Sequence, residues 1–106
     1  FYFDFLLLYS LGMSLCLDLG HFIHYEYDLT LQIESFLHKS SMVHLHGVRD
    51  GVDHLSLEWI SQQDWEAIRQ ALRTYKGGVA LEVFSVKDLA PSLRRMQDLC
   101  TEERSH

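Results

Sequence analysis

The stretch MVHLH at residues 42–46 is a short apolar run in which histidine occupies two alternate positions. Residues 13–19 and 79–84 form two similar apolar runs, and a segment with helical spacing of apolar side chains precedes each of the three. Strands that are apolar at most positions and alternate with helices are typical of a parallel sheet with both faces covered. The sequence therefore predicts an α/β fold that contains three parallel strands.

Four helices are predicted around these strands. Residues 1–9 have the composition of the end of a buried helix, which Gly12 would close. The predicted starts of the other three are Asp28, Ser61 together with Asp64, and either Ser85 or Asp88. Their predicted inward-facing residues are Leu29, Ile33, Phe36 and Leu37; Trp65, Ile68, Leu72 and Tyr75; and Leu89, Leu93, Met96 and Cys100. A loop is predicted at residues 47–53, and a polar end without regular structure is predicted at residues 101–106.

The length of the chain limits the architecture. A complete (β/α)8 barrel takes roughly 250 residues, so three strand–helix units in 106 residues correspond to less than half of one. We therefore expect residues 1–106 to be a single partial domain, the C-terminal part of a TIM barrel whose N-terminal half is absent. A doubly wound parallel sheet is the alternative. The apolar residues 1–19 are assigned to the interior of this globular domain rather than to a membrane, because Asp4, Gly12 and Asp18 are unfavourable in a membrane-spanning helix.

The charge and the cysteine content limit the partners and the compartment. With 15 acidic and 9 basic side chains, the formal net charge of −6 gives no electrostatic basis for binding a nucleic acid. Cys16 and Cys100 are too few for the disulfide framework of a small secreted domain. We therefore expect a cytoplasmic protein with a small-molecule substrate and neither a nucleic-acid nor a membrane partner. Assembly into a homo-oligomer is left open, because a partial barrel exposes strand edges.

Polar side chains occupy one parity of the predicted strands. Asp18, His44, His46 and Glu82 all lie at even positions, whereas the odd positions are apolar. Because side chains alternate between the faces of a strand, these four belong to one face. They also lie near the carboxyl ends of their strands, which is where α/β barrels carry their active sites.

Two carboxylates and two imidazoles buried together require a compensating cation, since an unpaired buried charge costs several kcal/mol. A divalent metal fits this requirement. Asp18 and His21 form an Asp-x-x-His pair, and Asp53 and His54 add a carboxylate and an imidazole from the loop after the second strand. Mixed oxygen and imidazole ligands suit zinc, manganese or iron better than calcium.

Three motifs resemble the xylose isomerase-like barrels, the superfamily that includes endonuclease IV (AP endonuclease family 2). The segment CLDLGH at residues 16–21 is similar to its Asp-x-x-His metal motif. The segments VHL at residues 43–45 and LEV at residues 81–83 resemble its His-Leu motif and the strand that carries its metal-binding Glu. The motifs follow in the same order over nearly the whole chain. The resemblance therefore implies a TIM barrel with a divalent metal cofactor, zinc or manganese.

Two departures distinguish this chain from endonuclease IV. His46 stands where the endonuclease usually has Asn, and Asp53 and His54 are adjacent where it has Asp-x-His. The segments HLHGVRDGVDHLSL at 44–57 and LEVFS at 81–85 resemble more closely the cobamide-remodelling phosphodiesterases of the same superfamily. These enzymes cleave the nucleotide loop of corrinoids such as cobalamin, so the resemblance implies corrinoid salvage rather than DNA repair.

The interpretation that follows is a metal-dependent phosphodiesterase, active as the full-length protein and inactive as the fragment alone. Its expected metal ligands are Asp18, His21, His44, Asp53, His54 and Glu82. His46 would orient a ligand or donate to a phosphoryl oxygen, and Asp53 is a ligand, a partner that fixes His54, or a turn residue. One alternative is a sugar or sugar-phosphate isomerase or epimerase, in which Glu82 acts on an enediolate. Another is a catalytically incomplete fragment.

Overall fold

The computed structural model describes the backbone of residues 15–104 and the side chains of residues 15–99. This part of the chain is a mixed α/β structure with five strands and four α-helices. The elements are, in order, β1 (Leu15–Asp18), α1 (Leu19–His24), α2 (Leu29–Phe36), a 3-10 turn (Leu37–Lys39), β2 (Ser40–Leu45), β3 (Gly47–Arg49), β4 (Val52–Leu55), a 3-10 turn (Leu57–Trp59), α3 (Gln62–Leu72), β5 (Gly78–Leu81) and α4 (Val86–Arg104). No helix in the described ranges is long and apolar enough to cross a membrane.

The main sheet has the order β1-β2-β5 and is parallel throughout. Leu17, Val43 and Val79 form one row across the three strands, and Asp18 and His44 are paired in the next row. Parallel neighbours require a long crossover connection, which is usually helical. The crossovers here contain α2 and α3. The predicted α/β class with three parallel strands is therefore confirmed, and the three strands form an open sheet in the part described.

Side-chain caps explain why the predicted helices begin where they do. Asp28 Oδ1 accepts a hydrogen bond from the backbone N–H of Leu31 at 3.1 Å, and Ser61 Oγ accepts one from Asp64 at 3.1 Å. Each bond satisfies an amide that has no partner inside the helix. The predicted starts of α2 and α3 are confirmed.

The hydrophobic core lies between one face of the main sheet and the helices. The strands contribute the odd-numbered residues, and helices α2 and α3 contribute their predicted stripes. Its fully buried members include Leu17, Val43, Leu45, Phe36 and Ile68. The even-numbered face is more open, since Cys16 and Met42 are exposed. The prediction that 79–84 is a buried strand is wrong in part, because β5 is an outer strand that ends at Leu81 and Val79 is 38% exposed.

Residues 47–53 form most of a β-hairpin rather than the predicted loop. Strands β3 and β4 pair antiparallel, and Asp50 and Gly51 between them both have positive φ angles, 52° and 77°. Positive φ at both central residues is the geometry of a type I′ turn, for which Asp-Gly is a preferred sequence. The turn therefore folds the chain back so that His54 lies beside the end of β2.

The short helix α1 was not predicted. Its six residues begin at Leu19, so the predicted strand at 13–19 loses its last residue to the helix, and its first two lie outside the described residues. Asp18 ends β1 and caps α1, since its Oδ1 accepts a hydrogen bond from the His21 backbone N–H at 2.9 Å. The predicted helix at 1–9 and its closing Gly12 also lie outside the described residues.

Helix α4 packs on the molecule with a different face from the predicted one. Leu89 and Leu93, predicted to be inward, are 39% and 46% exposed, whereas Ser92 and Leu99 are buried. Met96 packs partly against the core, as predicted. Cys100 was also predicted to be inward, but its side chain lies outside those described. The helix continues to Arg104, whereas a polar end without regular structure was predicted for residues 101–106.

Polar anchors explain this orientation of α4. Ser92 Oγ accepts a hydrogen bond from the Leu57 backbone N–H at 2.9 Å. Arg95 Nη1 donates to the carbonyl oxygens of Leu57 and Ile60 at 2.5 and 2.8 Å, and its guanidinium lies 4.6 Å from the centre of the Trp65 ring. These bonds satisfy backbone groups of the second 3-10 turn, so a polar face of α4 is directed inward.

Arg95→Met is expected to lower the free energy of unfolding by about 1–3 kcal/mol, because it leaves partly buried carbonyl groups without their donor. The methionine keeps most of the apolar stem, so the loss reports mainly on the guanidinium. Urea unfolding followed by circular dichroism measures the effect. Arg94→Met is the matched control, since Arg94 is exposed on the same helix. Equal destabilisation by both substitutions would show that Arg95 is not an anchor.

Candidate metal centre

Three parallel strands bring three potential metal ligands to one edge of the main sheet. Asp18 is the last residue of β1, His44 is the next-to-last of β2, and Glu82 follows β5 directly. Each of these residues offers one ligand atom, and the three atoms lie within 4.8 Å of one another. The predicted convergence of these side chains is therefore observed. We call these three residues the Asp18 group.

Glu82 connects this group to a second one. Its Oε1 contacts His44 Nδ1, and its Oε2 lies 3.4 Å from His54 Nε2. His46, His54 and Glu82 also offer ligand atoms that lie within 4.8 Å of one another, and we call them the His54 group. The backbone N–H of Glu82 donates to the Leu45 carbonyl at 2.9 Å, which continues the pairing of β5 with β2 and holds the backbone of Glu82 beside β2.

His46 is buried between two partners that determine which nitrogen carries its proton. Its side chain is 1% exposed, its Nε2 lies 3.1 Å from Asp18 Oδ1, and its Nδ1 accepts the His54 backbone N–H at 3.1 Å. An Nδ1 that accepts must be unprotonated, so neutral His46 carries its proton on Nε2 and donates it to Asp18. This ring then has no free lone pair for a metal ion. Its geometry corresponds to a positioning residue for Asp18.

Hydrogen bonds shift three pKa values in this region. Burial raises the pKa of Asp18, but the hydrogen bonds from His46 and from the His21 backbone lower it by more, so the pKa lies below its usual value. Burial lowers the pKa of His46, whereas the hydrogen bond and charge of Asp18 raise it by more. The hydrogen bond from His54 lowers the pKa of Asp53. Both aspartates are therefore ionised near neutral pH, the form that binds metals.

Asp53 belongs to neither group of ligand atoms and instead contacts His54, a member of the second group. Its Oδ1 lies 2.9 Å from His54 Nδ1, while Nε2 of the same ring faces Glu82. A carboxylate that accepts the Nδ1 proton leaves the Nε2 lone pair available to a metal, an arrangement common around metal-binding histidines. Of the roles left open for Asp53, the structure therefore favours the partner that fixes His54.

The backbone of His54 adopts an uncommon conformation. Its φ angle is +58°, in the left-handed region that costs free energy for residues other than glycine. This conformation places its N–H on His46 and its ring parallel to the His46 ring, with the ring centres 4.3 Å apart. Backbone strain retained at such a cluster is common at functional sites.

His21, a predicted ligand, is not brought to the cluster. Its side chain is exposed and its ring contacts Tyr25, with 4.5 Å between ring centres. Its backbone N–H donates to Asp18, so it contributes to α1 and to the orientation of Asp18. The spacing Asp-x-x-His places a helix cap here rather than two ligands, because the amide three residues after the cap is the one that needs an acceptor.

Gly20 is a residue of this site that the sequence analysis missed. A Cβ atom at Gly20 would overlap the imidazole atoms of His46. The absence of a side chain on α1 therefore makes room for the buried ring. No pattern along the chain marks this contact, since 26 positions separate the two residues.

Phe84 was also missed as a neighbour of the site. Its ring lies parallel to His54, with the ring centres 4.3 Å apart and an interplanar angle of 10°. The predicted strand at 79–84 would have placed it in the sheet, but β5 ends at Leu81 and Phe84 is 80% exposed.

The described side chains thus form two overlapping sets of oxygen and imidazole donors. In the Asp18 group two carboxylates and an imidazole are in range of a shared ion, and in the His54 group Glu82 and His54 provide one donor each while His46 is occupied by its partners. Such mixed donors fit zinc or manganese. Comparisons with protein-family models, curated proteins and solved structures found no match for this chain.

Proposed function

We propose that this chain is the C-terminal part of a TIM barrel of the xylose isomerase-like superfamily, and that the barrel is a metal-dependent phosphodiesterase. The observation that carries the proposal is the Asp18 group, in which three parallel strands each contribute one donor to a cluster 4.8 Å across. A parallel α/β sheet with its polar cluster at the carboxyl ends is the arrangement in which such barrels place their active sites.

The proposed substrate is the nucleotide-loop phosphodiester of cobamides. Support comes from the resemblance of residues 44–57 and 81–85 to the cobamide-remodelling phosphodiesterases, and from the net charge of −6, which disfavours DNA. Hydrolysis would join the oxygen of water to phosphorus and release the ribose hydroxyl, leaving cobinamide phosphate. Corrinoid salvage of this kind agrees with a cytoplasmic location, which is part of the proposal.

The residues of this chain have distinct roles in the proposed reaction. Asp18, His44, His54 and Glu82 would bind divalent ions, which supply polarisation of the phosphodiester and lower the pKa of a water molecule. His46 orients Asp18 through the bond between Nε2 and Oδ1, and Asp53 orients His54. These buried and half-buried bonds keep the ligand atoms in place before the ion binds, which lowers the cost of binding.

Metal uptake is the first test of the proposal. Calorimetric titration and elemental analysis of the purified 106-residue chain are expected to show at least one zinc or manganese ion per chain, displaced by a chelator. The structural reason is the set of preformed ligand pairs around Glu82. A chain that folds but binds neither metal at micromolar concentration would contradict the proposal.

The reaction itself is tested on the full-length protein. Metal-loaded enzyme incubated with cobalamin is expected to release cobinamide phosphate, detected by chromatography, and chelation is expected to stop the release. Ketose substrates in deuterated water are the companion assay. Exchange of a substrate C–H proton without cobinamide phosphate would favour the isomerase alternative and contradict the phosphodiesterase.

A further inference from the structure

Three rings form a continuous stack that runs from the interior to solvent. His46 is buried, His54 stacks on it at 4.3 Å with an interplanar angle of 18°, and Phe84 stacks on His54 at 4.3 Å and 10°. Phe84 is 80% exposed, so the ring face away from His54 is open to solvent. Because one face of the Phe84 ring stacks on His54 and the side chain is otherwise exposed, the opposite face is free to stack on a planar ligand.

The stack is directly connected to the candidate metal centre. The middle ring, His54, places Nε2 3.4 Å from Glu82 Oε2, and Phe84 follows Glu82 by only two residues. A planar group on the free face of Phe84 would lie parallel to the His54 ring, with the Phe84 ring between the two. A ligand that combines a ring with a nearby phosphate would therefore reach both.

We propose that Phe84 is a substrate-binding residue whose open face stacks on a heteroaromatic ring attached, through a sugar, to the phosphodiester. This inference rests on the proposed function and assigns a residue of this chain to the base of the proposed nucleotide-loop substrate. Phenylalanine has no hydrogen-bonding group, so it selects a ring by its flat face and tolerates different bases. An aliphatic phosphodiester would lack this contact.

The experiment compares two probes that share a sugar phosphate and differ in the ring. Adenosine 5′-monophosphate and ribose 5-phosphate are titrated into the zinc-loaded chain by calorimetry. The nucleotide is expected to bind about tenfold more tightly, the gain typical of one base stacked on one aromatic side chain. Nuclear magnetic resonance is expected to show a ring-current shift of the Phe84 protons with the nucleotide alone.

Substitutions separate the stack from the metal site. Phe84→Leu is expected to remove the preference for the nucleotide while zinc stoichiometry and ribose 5-phosphate affinity stay unchanged, and Phe84→Trp is expected to keep or increase it. Val86→Ala is the matched control, because Val86 is equally exposed at 86% and contributes no ring to the stack. Circular dichroism verifies that each variant folds.

Failure of this inference and failure of the proposed function give different results. Equal affinity for the two probes, with zinc bound, overturns the role of Phe84 and leaves the metal centre intact. Absence of zinc binding and of phosphate binding overturns the proposed function and the inference with it. A change in oligomeric state on Phe84→Leu, without a change in probe preference, would identify the exposed ring as a protein contact and overturn the inference as well.

Discussion

Replacing Glu82 with glutamine is expected to reduce the affinity of the chain for zinc by more than about 100-fold. Loss of a group that only supports a ligand already costs about 10–100-fold, and Glu82 belongs to both groups of ligand atoms. Glutamine has almost the same shape but is neutral, and its amide nitrogen cannot coordinate a cation. One substitution therefore removes a charged donor from every candidate ion position in the described cluster.

The stability of the metal-free chain is expected to change much less. The side chains of Glu82 and His44 are each 28% exposed, so water partly screens the contact between them. The substitution should therefore shift the free energy of unfolding by less than about 1 kcal/mol. Zinc titration and urea unfolding of the same samples distinguish a lost ligand from a lost fold.

Glu34→Gln is the matched control for this experiment. Glu34 lies on α2, is exposed, and belongs to neither group of ligand atoms. It changes the net charge of the chain by the same amount, so it reports any general electrostatic effect on zinc binding. Unchanged zinc affinity in Glu82→Gln, or equal loss in both variants, would exclude Glu82 as a shared ligand.

Gly20→Ala is expected to destabilise the chain, although intrinsic helix propensity predicts the opposite. Alanine inside a helix is favoured over glycine by about 1 kcal/mol. At Gly20, however, the new methyl group would overlap the buried ring of His46. Crowding in a packed interior typically costs about 1–3 kcal/mol, so the sign of the measured change decides between local propensity and the contact with His46.

The same substitution is expected to weaken zinc binding by about 10–100-fold, because a displaced His46 no longer orients Asp18. The double variant Gly20→Ala with His46→Ala tests the cause. Without the imidazole the methyl group has room, so adding Gly20→Ala to His46→Ala should be neutral or stabilising in urea unfolding. Additive destabilisation in the double variant would show that Gly20 acts through something other than the His46 ring.

The parts of this structure that the sequence could predict are those governed by local periodicity. Alternation along three apolar runs placed Asp18, His44 and Glu82 on one face, and parallel pairing then brings the ends of those runs together. Capping residues such as Asp28 and Ser61 determine their helices through bonds to amides three residues away. Both signals act over a few residues, which is why a pattern along the chain contains them.

The parts that were missed depend on partners distant in sequence. Helix α4 has two faces that could be inward, and its orientation is decided by Ser92 and Arg95, whose partners are backbone groups some 35 positions earlier. From the sequence alone, polar side chains such as these are expected to face solvent, because their distant hydrogen-bond partners are not apparent. The hairpin around Asp50 and Gly51 is different, because the Asp-Gly turn signal was present and a loop was predicted only from its composition.

A single oxygen atom joins the architecture of this protein to its candidate metal centre. Asp18 Oδ1 accepts both the backbone N–H that starts α1 and the Nε2 proton of His46. A substitution of Asp18 would therefore be a poor choice for an inert control variant, because α1 and the His46 imidazole would both lose the acceptor that they share. Selection faces the same constraint: a descendant that had lost the proposed catalysis would still have reason to retain this aspartate, and its presence alone says little about activity.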